Sequence, residues 1–176
     1  DGKIEPMESY GIKLMSMGFF IPDGQAVVWR GPMIHGAIQQ MLKDVEWGEL
    51  DYLVLDLPPG TGDVPLTLAQ NVRAAGVVLV STPQDLALAD VIRAKLMFDK
   101  VAIPVLGIVE NMAVHVCSQC GHAEHIFGAD GGKRMAAELQ TPHLGALPLD
   151  MNIRLQADSG MPTVVAHPQS EVTQLY

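Results

Sequence analysis

Apolar positions fall into two kinds of pattern along this chain. Met33, Ile34, Ala37, Ile38, Met41, Leu42 and Val45 recur at helical spacing, which predicts a helix with one buried stripe. Short unbroken apolar runs at 53–55, 77–80, 105–109 and 144–147, bounded by turn residues, predict strands of a buried parallel sheet. Helices are expected between them, at about 65–75 with Gly76 as terminator, from a capping Asp85 to about Phe98, at 131–139, and at about 151–158. Residues 12–21 read as an extended segment ended by Pro22-Asp23-Gly24, and Ala26 to Trp29 as a second short one. Residues 1–11 carry no usable period. Strands alternating with helices imply right-handed crossovers and an α/β fold, a mainly parallel sheet with helices on both faces.

The most informative stretch is LVLDLPPGTGD at 53–63. An apolar run stops at Asp56, two prolines and the glycines Gly60 and Gly62 force an irregular loop, and Pro65 opens a helix. Ligands of open α/β sheets sit outside the carboxyl ends of the strands. An acid there can hold hydrated Mg²⁺, and glycine N–H groups can approach phosphate with no Cβ in the way. A capped strand-to-helix turn accounts for the same residues without a ligand. Two further strands end in polar residues, Ser81-Thr82 and Glu110-Asn111, so a parallel sheet gathers all three ends on one rim.

Composition bounds the partners. The 176 residues are 48% hydrophobic and 18% charged, enough for the core of one domain, and the net charge of -9 argues against nucleic acid or an anionic membrane as a partner. The sequence shows neither a signal peptide nor an apolar stretch of about 18 residues, which predicts a soluble cytoplasmic protein. It begins at Asp1 rather than Met, as a piece of a longer chain would.

The two cysteines, Cys117 and Cys120, stand in HVCSQCGHAEH at 115–125, among three histidines. C-x-x-C brings two sulfurs to one side of a turn, where they can clasp a metal. Four readings stay open: Zn²⁺ with His122 and His125, an iron-sulfur cluster shared by two copies of the chain, a redox disulfide, and two incidental buried cysteines. Gly121 with flanking histidines is a poor start for the helix that thioredoxin-type pairs require.

Joined together, these stretches resemble the Mrp/ApbC iron-sulfur cluster carrier ATPases, relatives of MinD and the nitrogenase iron protein. The resemblance rests on VWRGPM at 28–33, DYLVLDLPPGTGD at 51–63, TPQDLAL at 82–88, VLGIVENM at 105–112, CSQCGH at 117–122 and IFG at 126–128. It implies a P-loop NTPase-like fold, incomplete at the N-terminus, in which residues 1–176 are the C-terminal part of one nucleotide-binding domain with a cysteine loop at about 112–128. Asp56 would be the acid that holds the Mg²⁺ of ATP. Pro59, Gly60 and Thr61 would form the loop that senses the γ-phosphate, and Asn111 and Pro148 would flank the adenine. Cys117 and Cys120 would bind a [4Fe-4S] cluster bridging a homodimer, for delivery to apo iron-sulfur proteins. A non-catalytic zinc-stabilised module and a MinD-like positioning ATPase are the alternatives. No G-x-x-x-x-G-K-[ST] is present, so this chain alone is expected to be inactive in hydrolysis, and unstable or swapped.

Overall fold

A computed structural model describes residues 2–21, 31–58 and 60–176. The chain divides into two compact units, Asp1–Val72 and Arg73–Tyr176. The turn Pro22-Asp23-Gly24, the segment 26–29 and Pro59 lie outside the described residues.

In the first unit, β1 (Met7–Ser9) and β2 (Ile12–Leu14) form an antiparallel hairpin. Its two-residue turn, Tyr10-Gly11, has both φ angles positive, at 52° and 76°, which matches the twist of the strands. The extended segment expected over 12–21 is therefore only three residues of strand, followed by a 3-10 turn at Met17–Phe20 with Ser16 as its cap. The predicted amphipathic helix is α1 (Gly31–Lys43), with Ile38 buried on its inner side. Val45, just beyond it, pairs with Ile4 and is buried. The next helix, α2 (Asp63–Asn71), is shorter than expected. Asn71 Nδ2 donates to the Thr67 carbonyl at 2.6 Å and Val72 turns extended, so the helix stops before Gly76.

The run Leu53-Val54-Leu55 does not form the buried strand its composition predicts. Residues 52–58 have no ladder partner among the described residues, and Val54 is 86% exposed. An apolar run becomes a buried strand only where neighbours supply hydrogen bonds on its edges and cover on its faces.

The second unit is built on a three-stranded parallel sheet of β3 (Val77–Ser81), β4 (Val105–Glu110) and β7 (His143–Ala146), in the order β3-β4-β7. Leu79 pairs with Ile108 and Ser81 with Glu110. α3 (Asp85–Lys100) and α4 (Gly131–Glu138) pack on this sheet and on each other. Leu88, Val91 and Phe98 from α3, with Met135 and Ala136 from α4, surround Leu79 and the fully buried Ile108. The cap of α3 is Gln84 rather than Asp85, which is the first helical residue and lies where the helix dipole favours a carboxylate. On the alternate strand positions Val78, Val80, Leu106 and Leu144 are exposed. A small antiparallel hairpin, β5 (His115–Val116) and β6 (Ala123–Glu124), stands between β4 and α4. Three helices close the chain: α5 (Met151–Asp158), α6 (Thr163–Ala166) and α7 (Glu171–Leu175).

Candidate functional site: a sheet rim and a two-thiol hairpin

The rim of the second unit is assembled by backbone pairing beyond the strand ends. Asn111 N–H donates to the Ser81 carbonyl at 2.7 Å, so Ser81 and Asn111 share one edge, as the parallel arrangement predicts. Asn111 Oδ1 accepts from the Met112 N–H at 3.0 Å, the strand-end cap that is its simplest role. Beside it runs the segment 147–149. Leu147 N–H donates to the Glu110 carbonyl at 2.8 Å, Ala113 N–H to the Leu147 carbonyl at 2.9 Å, and Leu149 N–H to the Val114 carbonyl at 2.8 Å. Asn111 and the half-buried Pro148 are thus held on adjacent strand extensions at one end of the sheet. Asp150 then caps α5, accepting from the Asn152 N–H at 2.6 Å.

Glu110 is the functional-looking residue that pattern reading treated only as a polar strand end. It is 3% exposed, and its Oε2 accepts from the N–H groups of Gly132 at 2.7 Å and Lys133 at 3.2 Å. The carboxylate is therefore spent on the N-terminus of α4. The available signal was the pair Gly131-Gly132 at a helix start. A Cβ on Gly131 would collide with the Pro83 carbonyl oxygen, and one on Gly132 would sit 2.8 Å from Glu110 Cβ.

The cysteines occupy the tip of the β5–β6 hairpin. Cys117 N–H donates to the His122 carbonyl at 2.9 Å, and Gly121 N–H returns to the Cys117 carbonyl at 2.9 Å. The turn needs the positive φ of 73° that Gly121 adopts. Cys117 is half-buried, Cys120 is exposed, and both are free thiols. The N–H groups of Gln119 and then Cys120 point at the Cys117 sulfur, followed by the Cys120 thiol and the His115 charge, and together they hold the Cys117 thiol below its usual range against a weaker opposing effect of burial. A lowered thiol is a ready soft-metal ligand.

Two of the three histidines of this loop have a ring nitrogen engaged elsewhere. His115 Nδ1 lies 3.0 Å from the Leu149 carbonyl oxygen, and His125 Nδ1 lies 2.8 Å from that of Ala113. Among the described residues no three His, Cys, Asp or Glu side chains are gathered to hold a metal ion, so the Cys117, Cys120, His122, His125 zinc set is not assembled within one chain. The hairpin presents two thiols and no third ligand of its own.

The remaining predicted site residues lie in the first unit and are described with it. Asp56 is exposed on the irregular segment 52–58, and Gly60, with φ of 95°, and Thr61 are exposed just before α2. Asp56 and Pro58 line one end of an open, mainly apolar groove of about 1360 Å³, together with Ile34 and Ile38 of α1 and Leu68 of α2.

A parallel sheet with helices packed on it and polar strand ends along one edge is an α/β architecture, and the comparisons with known proteins place it among the P-loop NTPases. The structure superposes on the nucleotide-binding protein of Archaeoglobus fulgidus in complex with ADP with a TM-score of 0.79, at 36% identity, covering 100% of this chain and 68% of that one. It shares its fold with the cell-division ATPase MinD of Pyrococcus furiosus, with a TM-score of 0.58, at 20% identity, covering 85% and 59%. Residues 1–176 match the ParA family model described as NUBPL iron-transfer P-loop NTPase, and the chain belongs to that family. It is 55% identical over 171 residues to the iron-sulfur cluster carrier protein of Pseudomonas fragi, covering 97% of this chain and 60% of that protein. The chain spans about half the length of the curated relatives it matches.

Proposed function

We propose that the full-length protein is a cytoplasmic, homodimeric iron-sulfur cluster carrier that binds ATP with Mg²⁺, hydrolyses it, and passes a [4Fe-4S] cluster to apo-proteins. The observation that carries this reading is the hairpin tip, an accessible C-x-x-C turn with one thiol already lowered and no third ligand. A cubane cluster takes four thiolates, so two copies facing each other complete what one copy leaves half-made. Cargo held by exposed thiolates can be handed over by ligand exchange, each departing sulfur being replaced by one from the acceptor.

In this reading Asp56 holds the hydrated Mg²⁺ of the nucleotide. Pro59, Gly60 and Thr61 contact the γ-phosphate through their backbone, and Asn111 and Pro148 flank the base. Asn111 suits that task because its Oδ1 is already tied to its neighbour's N–H, which leaves Nδ2 as a donor toward an adenine acceptor. Hydrolysis also requires a lysine-bearing phosphate loop, which no stretch of the 176 residues provides.

The test is anaerobic reconstitution of the full-length protein, read by iron and sulfide content, absorbance and sedimentation. About two iron and two sulfide per chain, with cluster-dependent dimerisation and transfer to an apo-ferredoxin, is the expected result. One zinc per monomer, or unchanged transfer when Cys117 and Cys120 are both replaced by Ala, overturns it.

A further inference from the structure

The β5–β6 hairpin is too small to hold its own position. It pairs only two residues per strand, and an isolated ladder of that size has no stability in water. Its placement therefore depends on what fastens its base. On the β5 side that fastening is His115. Nδ1 sits 3.0 Å from the Leu149 carbonyl oxygen, 34 residues away in sequence, and because a carbonyl only accepts, the histidine donates. Leu149 is in turn tied through its own N–H to the Val114 carbonyl at 2.8 Å. Both polar groups of Leu149 are thus spent on the two residues that lead into the hairpin. On the β6 side His125 Nδ1 engages the Ala113 carbonyl at 2.8 Å, and Ala113 N–H engages the Leu147 carbonyl at 2.9 Å. The residues on either side of Pro148 are therefore the footing on which the thiol hairpin stands.

Cys117 continues β5, since its N–H donates to the His122 carbonyl across the hairpin. In an extended strand residues two apart face the same way, so the ring of His115 and the sulfur of Cys117 lie on one side of it. The His115 imidazole is thus a rigid link between the Leu149 carbonyl, next to Pro148, and the strand that leads to Cys117.

We infer that His115 is a positioning residue that couples the Asn111–Pro148 rim to the Cys117–Cys120 turn, so that nucleotide at the rim and cluster at the thiols alter each other's affinity. This rests on the proposed carrier function and adds the route by which its two sites communicate. Such coupling is reciprocal, so it can be read from either ligand.

The experiment measures the affinity of a fluorescent ATP analogue for the full-length protein in its cluster-free and cluster-loaded forms. The wild-type ratio of the two affinities is expected to be about fivefold or more. His115→Asn keeps a donor at the position of Nδ1 and should preserve the ratio. His115→Phe removes the donor, and His115→Gln moves it outward to the position of Nε2. Both should bring the ratio to within about twofold of unity while iron content per chain stays at the wild-type value. If His115→Phe does not fold, the Asn and Gln pair carries the same contrast. A ratio that survives in His115→Gln or His115→Phe overturns the inference and leaves the carrier function standing. Loss of iron from all three variants overturns it too, by making His115 a ligand. A wild-type ratio of one removes the coupling altogether, whereas absence of iron in the wild type would strike the carrier function itself.

Discussion

Glu110 and Gly132 meet at the start of α4, where the buried carboxylate accepts the glycine N–H at 2.7 Å. The contact exists because residue 132 has no side chain, since a Cβ there would lie 2.8 Å from Glu110 Cβ and from Oε2. The same carboxylate takes the Lys133 N–H at 3.2 Å, so one side chain at the end of β4 satisfies two N–H groups that a helix start leaves unpaired. Glu110 also immediately precedes Asn111, which joins the framework of the second unit to the candidate rim.

Glu110→Ala should therefore destabilise the folded protein by about 1–3 kcal/mol, because the buried Gly132 N–H is left without a partner while the part-buried Lys133 N–H can turn to water. Gly132→Ala should be comparably damaging for the opposite reason, a methyl group forced against Glu110. Chemical denaturation of the full-length protein followed by circular dichroism checks both. Glu110→Gln keeps an acceptor oxygen and should lose less than Glu110→Ala.

The elements most legible in the sequence were those whose own residues carry a sufficient signal. α1 shows its stripe over three turns, and β3 and β4 are apolar runs between clear turn residues. Of the three strand ends expected on one rim, Ser81 and Asn111 meet there as parallel strands require, whereas Asp56 ends no strand among the described residues. Leu53 to Leu55 misled for a physical reason: composition says that a run is suited to a sheet interior but not whether partners lie beside it. The hairpin, α6 and α7 are too short for any period to register. The histidines near the cysteines suggested metal by proximity in sequence. Their carbonyl partners, Leu149 for His115 and Ala113 for His125, are tertiary and leave no local trace.

The two thiols should be chemically unequal. The N–H groups of Gln119 and Cys120 stabilise the Cys117 thiolate, which places its ionisation below the usual thiol range. The sign is that of any stabilised anion: thiolate forms at lower pH, and reactivity is lost only when the pH falls further. In the cluster-free protein iodoacetamide should modify Cys117 ahead of Cys120 at neutral pH despite the greater exposure of Cys120, as mass spectrometry of the two peptides would show. Gly121→Val strains the turn at its positive φ and should shift the Cys117 alkylation profile back toward higher pH.

Core and exposed sheet positions should separate sharply. Ile108 is fully buried between β3, β7 and α4, and Ile108→Ala should cost about 2–5 kcal/mol through lost burial and the cavity left behind. Val80, on an adjacent strand but 62% exposed, should cost about 0.5 kcal/mol or less when changed to Ala. Denaturation midpoints of the two variants in the same full-length background decide the matter. Equal losses would mean that Val80 is covered in solution by something bound to that face.

Asp56 is the residue on which the nucleotide chemistry of the proposed function turns. It is exposed on the irregular segment 52–58, which has no ladder partner among the described residues, so no buried structural contact competes with a ligand for its carboxylate. Asp56→Asn keeps the size of the side chain and removes the charge that would hold hydrated Mg²⁺. The fold should survive with a change in stability within about 0.5 kcal/mol, the ordinary range for a surface substitution. Phosphate release by the full-length protein should fall by on the order of 100-fold, because an electrostatic contact made in the transition state is lost. Nucleotide binding in the absence of Mg²⁺ should change little, and iron content after reconstitution should stay at the wild-type value, since the thiols are untouched. Phosphate release measured at saturating ATP and Mg²⁺ checks the first, and a turnover rate within threefold of wild type would remove Asp56 from the site.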